Sequence, residues 1–161
     1  MEKNKFVSPI LMWLIVILGI VIIFNIISSQ YLFSRNYFTI TLFLIASIYW
    51  VFFFLWSLKF HKKAPLSVAK ISKLIKEGPY RFVRHPLYSA DIVLGVGIFL
   101  LFPTKRDLFS LVWLILVLSI WMKLEESSLI KKFGREYNTY RAKTPMFVPD
   151  FTIKGGKNEK T

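Results

Sequence analysis

Residues 87–121 read LYSADIVLGVGIFLLFPTKRDLFSLVWLILVLSIW, which is two apolar runs joined by a short polar turn. The first run covers about 87–102 and carries Asp91, so we expect it to begin at the level of the lipid headgroups. The second run covers about 108–121 and returns through the bilayer after a tight connection at 103–107. Together the two runs predict an antiparallel helical hairpin inside a membrane.

Two further apolar stretches precede this hairpin. Residues 10–27 are almost wholly apolar, and residues 39–58 form a second candidate span that is rich in aromatic side chains. The expected fold class is therefore an all-α integral membrane protein. We expect four transmembrane helices, a cytoplasmic loop and a C-terminal cytoplasmic helix. Residues 1–154 would form a single domain, and residues 155–161 a disordered polar tail.

The composition narrows the possible functions. Hydrophobic residues make up 55% of the 161-residue chain, above the roughly 45–50% of soluble domains. The net charge of +13 would suit nucleic acid, but the basic residues flank apolar runs as juxtamembrane anchors do, so we expect no nucleic-acid partner. The absence of cysteine excludes a disulfide framework, a thiolate metal site and a cysteine nucleophile. No small-residue cleavage site follows the first run, which is therefore expected to be an uncleaved span.

The distribution of lysine and arginine predicts the orientation. Eight basic residues lie in the segment 59–86, nine follow the last span, and two precede the first, whereas three fall in the remaining connections. The positive-inside rule then places both termini and the long middle loop in the cytoplasm. An even number of spans agrees with this placement.

A first candidate site segment, GPYRFVRHPLY at residues 78–88, ends at the start of the third span. Pro86 suits the first turn of a helix, and the residue before a proline favours extended backbone, which directs the His85 ring away from the helix. Arg84, Tyr80 and Tyr88 complete a basic, aromatic collar at a helix N-terminus, where the helix dipole favours an anion. Simple anchoring of arginine and tyrosine at the membrane interface is an equally good interpretation of this segment alone.

A second candidate segment begins with Glu125 and Glu126, directly after the fourth span. We expect a cytoplasmic helix from Lys123 to about Tyr140, in which Glu125 shares a face with Trp121. An acid that faces the mouth of the hairpin would complement a cationic ligand. Salt bridges to neighbouring lysines are the alternative interpretation.

The pattern GxYxxxRHPxY, followed by EExxLxxxFGxEYxxY, resembles the isoprenylcysteine carboxyl methyltransferase family and its phospholipid methyltransferase relatives. The resemblance covers residues 72–149 and is carried by the two motifs in order, separated by a hairpin. It implies an integral-membrane enzyme that transfers a methyl group from S-adenosylmethionine. The cosubstrate would lie between the hairpin and the C-terminal segment.

The resemblance also implies which residues contact the cosubstrate: Leu74, Ile75, Tyr80, His85, Pro86, Leu87, Tyr88 and Glu125. Imidazole suits the carboxylate of S-adenosylmethionine, a glutamate suits its hydroxyls or ammonium, and tyrosines suit cations or the flat base. Methyl transfer from a sulfonium needs no metal and no covalent enzyme intermediate, only alignment and exclusion of water. An amine or thiol acceptor must lose a proton, and the nearby catalytic candidates are Glu125, His85 and Glu126.

The chain departs from the family on the acceptor side. Trp121 stands where the prenylcysteine enzymes have an arginine thought to meet the substrate carboxylate, and Ala90 replaces a usual glycine. Asp91 suits a cationic acceptor or is an interfacial charge at a helix N-terminus. Trp121, Asp91 and Arg84 are the candidate substrate residues.

The expected acceptor is lipophilic or lipidated. The carboxylate of a prenylated cysteine, or a similar group, comes first, and a phospholipid amine or a small thiol comes second. A different class also remains open, namely a non-catalytic membrane protein that holds anionic lipids on its basic loop.

Overall fold

The computed structural model describes residues 8–60 and 73–152. Within them are five α-helices: α1 Pro9–Ile26, α2 Tyr37–Phe60, α3 Pro86–Leu101, α4 Lys105–Phe133 and α5 Arg135–Lys143. A short 3-10 turn, Gly78–Arg81, precedes α3. These elements confirm the all-helical fold class. The tail at 155–161 and the basic residues at 62–70 lie outside the described residues.

Three of the helices, α1, α2 and α4, are long and apolar enough to cross a membrane, which supports an integral membrane protein. Helix α3 is apolar but has only 16 residues, so it is about 24 Å long. That is shorter than the roughly 30 Å hydrocarbon core of a bilayer. A count of four spans and a cytoplasmic orientation therefore stay predictions.

The C-terminal helix differs from the expected one. Helix α4 continues without a break through Trp121 and Glu125 as far as Phe133. The chain then changes direction at Gly134, whose φ of 52° and ψ of −122° lie in a region that favours glycine. The single helix expected over 123–140 is therefore wrong, because this glycine divides it into the end of α4 and the separate helix α5.

The helices pack in the order α2, α3, α4, α1, and the α2–α3 contact is the most extensive. At Gly97, an added Cβ would lie 2.7 Å from the Cβ of Ala46 in α2. The absence of a side chain therefore lets these two helices approach closely. Helices α1 and α2 have no extensive contact with each other, which leaves space between them.

One end of the bundle combines local helix caps with main-chain hydrogen bonds between its two loops; we call residues 27–39 and 102–107 the capped end. The N-H of Leu32 donates to the carbonyl of Pro103 (2.7 Å), and the N-H of Lys105 donates to the carbonyl of Gln30 (2.9 Å). The N-H of Thr39 donates to Asn36 Oδ1 (3.0 Å) and the N-H of Asn36 donates to Thr39 Oγ1 (3.1 Å). At the start of α4, Thr104 Oγ1 accepts from the N-H of Asp107 (3.3 Å). Such caps satisfy amides that have no partner within the helix. The opposite end carries the candidate site.

Candidate functional site

The structure brings the two predicted segments together. His85 Nδ1 lies 3.7 Å from Glu125 Oε2, and His85 Nε2 lies 3.4 Å from Glu126 Oε1. All three side chains are buried, and the histidine is only 7% exposed. The imidazole therefore lies between two carboxylates from a helix that is about forty residues away in the chain.

The backbone next to Pro86 sets the direction of the His85 side chain. Pro86 occupies the first turn of α3, and His85 is the residue before it, with φ −121° and ψ 66°. This ψ is smaller than that of extended backbone, so the extended conformation predicted for the residue before proline is wrong. The ring nevertheless lies off α3 and faces Glu125 and Glu126 of α4, as predicted. Upstream, Gly78 adopts a positive φ of 61°, which starts the 3-10 turn that delivers Tyr80 to the site.

Glu126 is neutralised within the protein. Arg84 Nε donates to Glu126 Oε1 at 2.7 Å, and the two side chains are 9% and 8% exposed. The same guanidinium donates to the main-chain carbonyls of Arg141 and Thr144, both at 2.7 Å. Arg84 therefore ties the start of α3 to the end of α5, and Glu126 is the acid that balances its charge.

Glu125 is held differently. The Tyr88 hydroxyl donates to Glu125 Oε1 at 2.7 Å, and Oε2 faces His85. Both partners belong to the first turn of α3 or precede it. Unlike Glu126, Glu125 lines a cavity, so its carboxylate is held in position and is still able to meet a ligand.

This cavity has a volume of about 540 Å³. All the positions expected to contact the cosubstrate line it: Leu74, Ile75, Tyr80, His85, Pro86, Leu87, Tyr88 and Glu125. Its volume falls within the roughly 300–1,000 Å³ usual for small-molecule sites. The polar side chains gather at one wall, where α3, α4 and α5 meet. Among residues 8–60 and 73–152, no cluster of three or more histidine or acidic side chains is arranged to hold a metal ion.

Helix α5 closes the polar wall with two tyrosines. Tyr140 donates its hydroxyl to the carbonyl of Tyr80 at 2.6 Å, and Tyr137 is 1% exposed. Burial raises the pKa of the Tyr80 phenol, and the charge of Glu125 raises it further. Burial likewise raises the pKa of Tyr137, with a second contribution from Glu126. These phenols therefore stay protonated and uncharged at neutral pH.

The remaining wall is apolar and comes from helices that carry no recognised motif. Residues of α1 and α2 line it: Pro9, Ile10, Met12, Trp13, Leu14, Ile17, Trp50 and Phe54. None of these positions was among the predicted site residues. The one usable signal was the spacing of Trp50 and Phe54, which places two aromatic rings on one face of α2.

The three candidate substrate residues have different positions. Asp91 and Arg84 line the cavity, whereas Trp121 does not. Trp121 is 5% exposed and packs with Met12 and Val16 in the contact between α1 and α4. Asp91 accepts a hydrogen bond from Trp50 Nε1 at 2.8 Å, which links α3 to α2 beside the apolar wall.

Comparisons with known proteins agree with the motif positions. A family model described as phospholipid methyltransferase matches residues 36–136, more than half of the chain. Protein-S-isoprenylcysteine O-methyltransferase B of Arabidopsis thaliana is 36% identical over 80 residues, which cover 48% of this chain and 40% of the plant protein. A probable protein-S-isoprenylcysteine O-methyltransferase of Oryza sativa subsp. japonica is 39% identical over 79 residues, covering 48% and 41%. The chain thus spans about two fifths of the length of these curated relatives. No solved structure matches it significantly.

Proposed function

The chain belongs to the phospholipid methyltransferase family, and we propose on this basis that it transfers a methyl group from S-adenosylmethionine to a lipophilic acceptor at the membrane surface. One observation carries the proposal. The family-like motifs at 78–88 and 125–140 form the polar wall of one cavity, and its opposite wall is apolar. A charged cosubstrate and a lipophilic acceptor need such a pair of walls. By the positive-inside rule, we place this cavity on the cytoplasmic side.

Glu125 and His85 would bind the cosubstrate. The Tyr88 hydrogen bond fixes the Glu125 carboxylate, which suits the ammonium or the ribose hydroxyls of S-adenosylmethionine. The imidazole suits its carboxylate, and the faces of Tyr80 and Tyr88 suit a cation or the adenine. Glu126 and Arg84 would act as positioning residues, because their charges already satisfy each other.

Beyond binding the cosubstrate, methyl transfer requires few further contributions from the protein. S-adenosylmethionine supplies an activated methyl group when bound, so the enzyme must align the acceptor with it and exclude water. The apolar side chains of α1 and α2 would hold the hydrocarbon part of the acceptor. The carboxylate of a prenylated cysteine is the first candidate acceptor, as the names of the relatives indicate. It needs no general base.

The position of Asp91 favours a second candidate, a phospholipid amine. Its carboxylate lines the cavity beside the apolar wall and is tied to Trp50 through Oδ1. A negative charge there would attract an ammonium and repel an acceptor carboxylate. The amine must lose a proton before it attacks the methyl group, and Asp91, Glu125 and His85 are the cavity residues able to accept one.

Two measurements test the proposal. In the first, S-adenosylmethionine is titrated calorimetrically into the purified protein in detergent. We expect binding that weakens in Glu125→Ala and in His85→Ala and is unchanged in Glu136→Ala, an exposed acid on α5. Absence of binding to the wild type would instead favour a non-catalytic membrane protein.

The second measurement identifies the acceptor. Transfer of labelled methyl groups to N-acetylated S-farnesylcysteine, phosphatidylethanolamine and dodecanethiol is compared in the wild type and in Asp91→Asn, which keeps an oxygen for Trp50. Loss of about tenfold or more on the amine alone would identify an amine site, since hydrogen bonds to charged groups are worth about 1.5–3 kcal/mol. Transfer to the farnesylcysteine by the wild type, with little or none to the amine, would instead identify the carboxylate acceptor, and Asp91→Asn should then leave that transfer unchanged or increase it.

A further inference from the structure

The segment that follows α5 is fixed to the site by main-chain hydrogen bonds; we call residues 145–151 the strap. The N-H of Arg84 donates to the carbonyl of Pro145 (2.9 Å), and that of His85 donates to the carbonyl of Met146 (3.1 Å). Further along, the N-H of Asp150 donates to the carbonyl of Phe82 (2.9 Å). The strap is therefore attached at both of its ends to the backbone that precedes α3.

Three apolar side chains of the strap nevertheless face outwards. Phe147 is 45% exposed, and Val148 and Phe151 are each 63% exposed. Met146, in contrast, packs against the cluster of side chains between α1 and α4. The exposed side chains thus belong to an ordered segment, and their backbone has a fixed position relative to the bundle.

This exposed surface is continuous with the exposed apolar side of α2, which we expect to face lipid. The ring of Phe151 lies 5.2 Å from that of Phe82, which lies 6.0 Å from Trp56 of α2. Trp56 in turn lies 5.3 Å from Phe52, which is 56% exposed on a helix apolar enough to span a bilayer. A row of four aromatic rings therefore connects the strap with an exposed apolar surface on a helix that is long enough to span a bilayer.

Charge supports the same partner. Arg81 lies over the ring of Phe82, 5.4 Å from its centroid, and Lys154, Lys157 and Lys160 follow the strap in the sequence. These lysines outnumber the one acid of the strap, Asp150. Exposed apolar residues with several basic residues close in the sequence are typical of segments that lie in the interface of an anionic membrane. Aromatic rings are also enriched at the headgroup level.

We propose that the strap is a membrane anchor, which inserts Phe147, Val148 and Phe151 into the boundary between headgroups and acyl chains of an anionic leaflet. The partner is the bilayer itself. Through its hydrogen bonds to Arg84 and His85, the anchor would hold the polar wall of the cavity at a fixed depth in the membrane. The anchor does not depend on methyl transfer, so it stands or falls independently of the proposed function.

The absence of cysteine makes a direct test possible, because a single introduced cysteine carries the only spin label. Nitroxides are attached at Phe147→Cys, Val148→Cys or Phe151→Cys in protein reconstituted into vesicles with equal amounts of phosphatidylcholine and phosphatidylglycerol. The collision rates with oxygen and with a water-soluble nickel chelate are then measured. Leu55→Cys on the exposed side of α2 is the lipid reference, and Asn138→Cys on the exposed side of α5 is the water reference.

We expect the ratio of oxygen to nickel accessibility at the three strap positions to be several-fold higher than at Asn138 and to approach that at Leu55. A ratio equal to that at Asn138 at all three positions would overturn the proposal. Spin–spin broadening that disappears on dilution with unlabelled protein would also overturn it, because a second copy of the chain would then cover the strap. All the labelled positions are exposed, so the fold should tolerate each substitution.

Discussion

The two ends of the bundle satisfy their polar side chains in different ways. At the capped end, Thr104 pairs with Asp107 and Asn36 with Thr39, each three residues apart. At the site end, Arg84 pairs with a residue 42 positions away. The short-range pairs close helix termini, whereas the long-range pairs hold ionisable groups around a cavity.

The two kinds of pair contribute differently to the stability of the fold. A local cap is worth about 1 kcal/mol and has no need of a cavity. A buried ion pair gains little for stability after desolvation, although breaking it is costly. Buried charges that surround a cavity therefore need a reason other than stability, and a charged ligand provides one.

The largest effect should come from breaking the buried ion pair. Arg84→Ala removes the closest partner of the buried Glu126 carboxylate and leaves only His85 at 3.4 Å and Arg141 at 3.8 Å. We therefore expect the free energy of unfolding to fall by about 3 kcal/mol, the lower end of the range for breaking a buried pair. Titration of the detergent-solubilised protein with sodium dodecyl sulfate measures this change. The double variant Arg84→Met with Glu126→Leu removes both charges and should recover part of the loss. A single variant within about 1 kcal/mol of the wild type would mean that the pair behaves as an exposed one.

The next largest effect should separate binding from stability. Glu125→Gln keeps the shape of the side chain and an oxygen for the Tyr88 hydroxyl, but it removes the charge that faces the cavity. We expect affinity for S-adenosylmethionine to fall by roughly 10- to 100-fold, since a hydrogen bond to a charged group is worth about 1.5–3 kcal/mol. Calorimetry measures the affinity, and the unfolding titration should show no loss. Unchanged affinity would remove Glu125 from the cosubstrate site.

At the capped end, we expect a substitution to lower stability and leave cosubstrate binding unchanged. Thr104→Ala removes the N-cap of α4 and should lower the free energy of unfolding by about 1 kcal/mol, whereas Thr104→Ser should retain most of it. Cosubstrate affinity should be unchanged in both variants. A loss of affinity in Thr104→Ala would show that the two ends are coupled and that the comparison between them fails.

The smallest effect should come from an exposed pair near the site. Lys76 Nζ lies 2.7 Å from Glu136 Oε1, but the side chains are 42% and 53% exposed. We expect Lys76→Met to cost no more than about 0.5 kcal/mol, and this small difference should vanish in high salt. A loss comparable to that in Arg84→Ala would show that burial does not distinguish the two pairs.

The polar half of the site could be predicted from the sequence because charge at a membrane edge is expensive and therefore informative. His85 and Glu125 stand out for this reason, and both line the cavity. The apolar half could not be predicted in this way. Val16 is buried and Leu14 is 58% exposed on the same helix, yet lipid is as apolar as a protein interior, so polarity does not reveal which face packs.

Trp121 is a second residue for which the sequence does not show whether the side chain packs or lines the cavity. Helical spacing correctly places it one turn before Glu125. Nothing in its own chemistry indicates that α1 covers α4 at Trp121, while the cavity opens one turn later. The position at which α1 begins therefore decides which residues on this face of α4 pack against α1 and which line the cavity.

The uninterrupted length of α4 has a consequence for the membrane around the protein. Its 29 residues make a rod of about 43 Å, which exceeds the roughly 30 Å hydrocarbon thickness. The rod begins at a capped turn, and Glu125 lies about 30 Å along it, so the height of that carboxylate relative to the acyl chains depends on bilayer thickness. Thicker bilayers would draw the carboxylate towards hydrocarbon and thinner ones would lift it into water, so hydrophobic mismatch becomes a means of tuning the site.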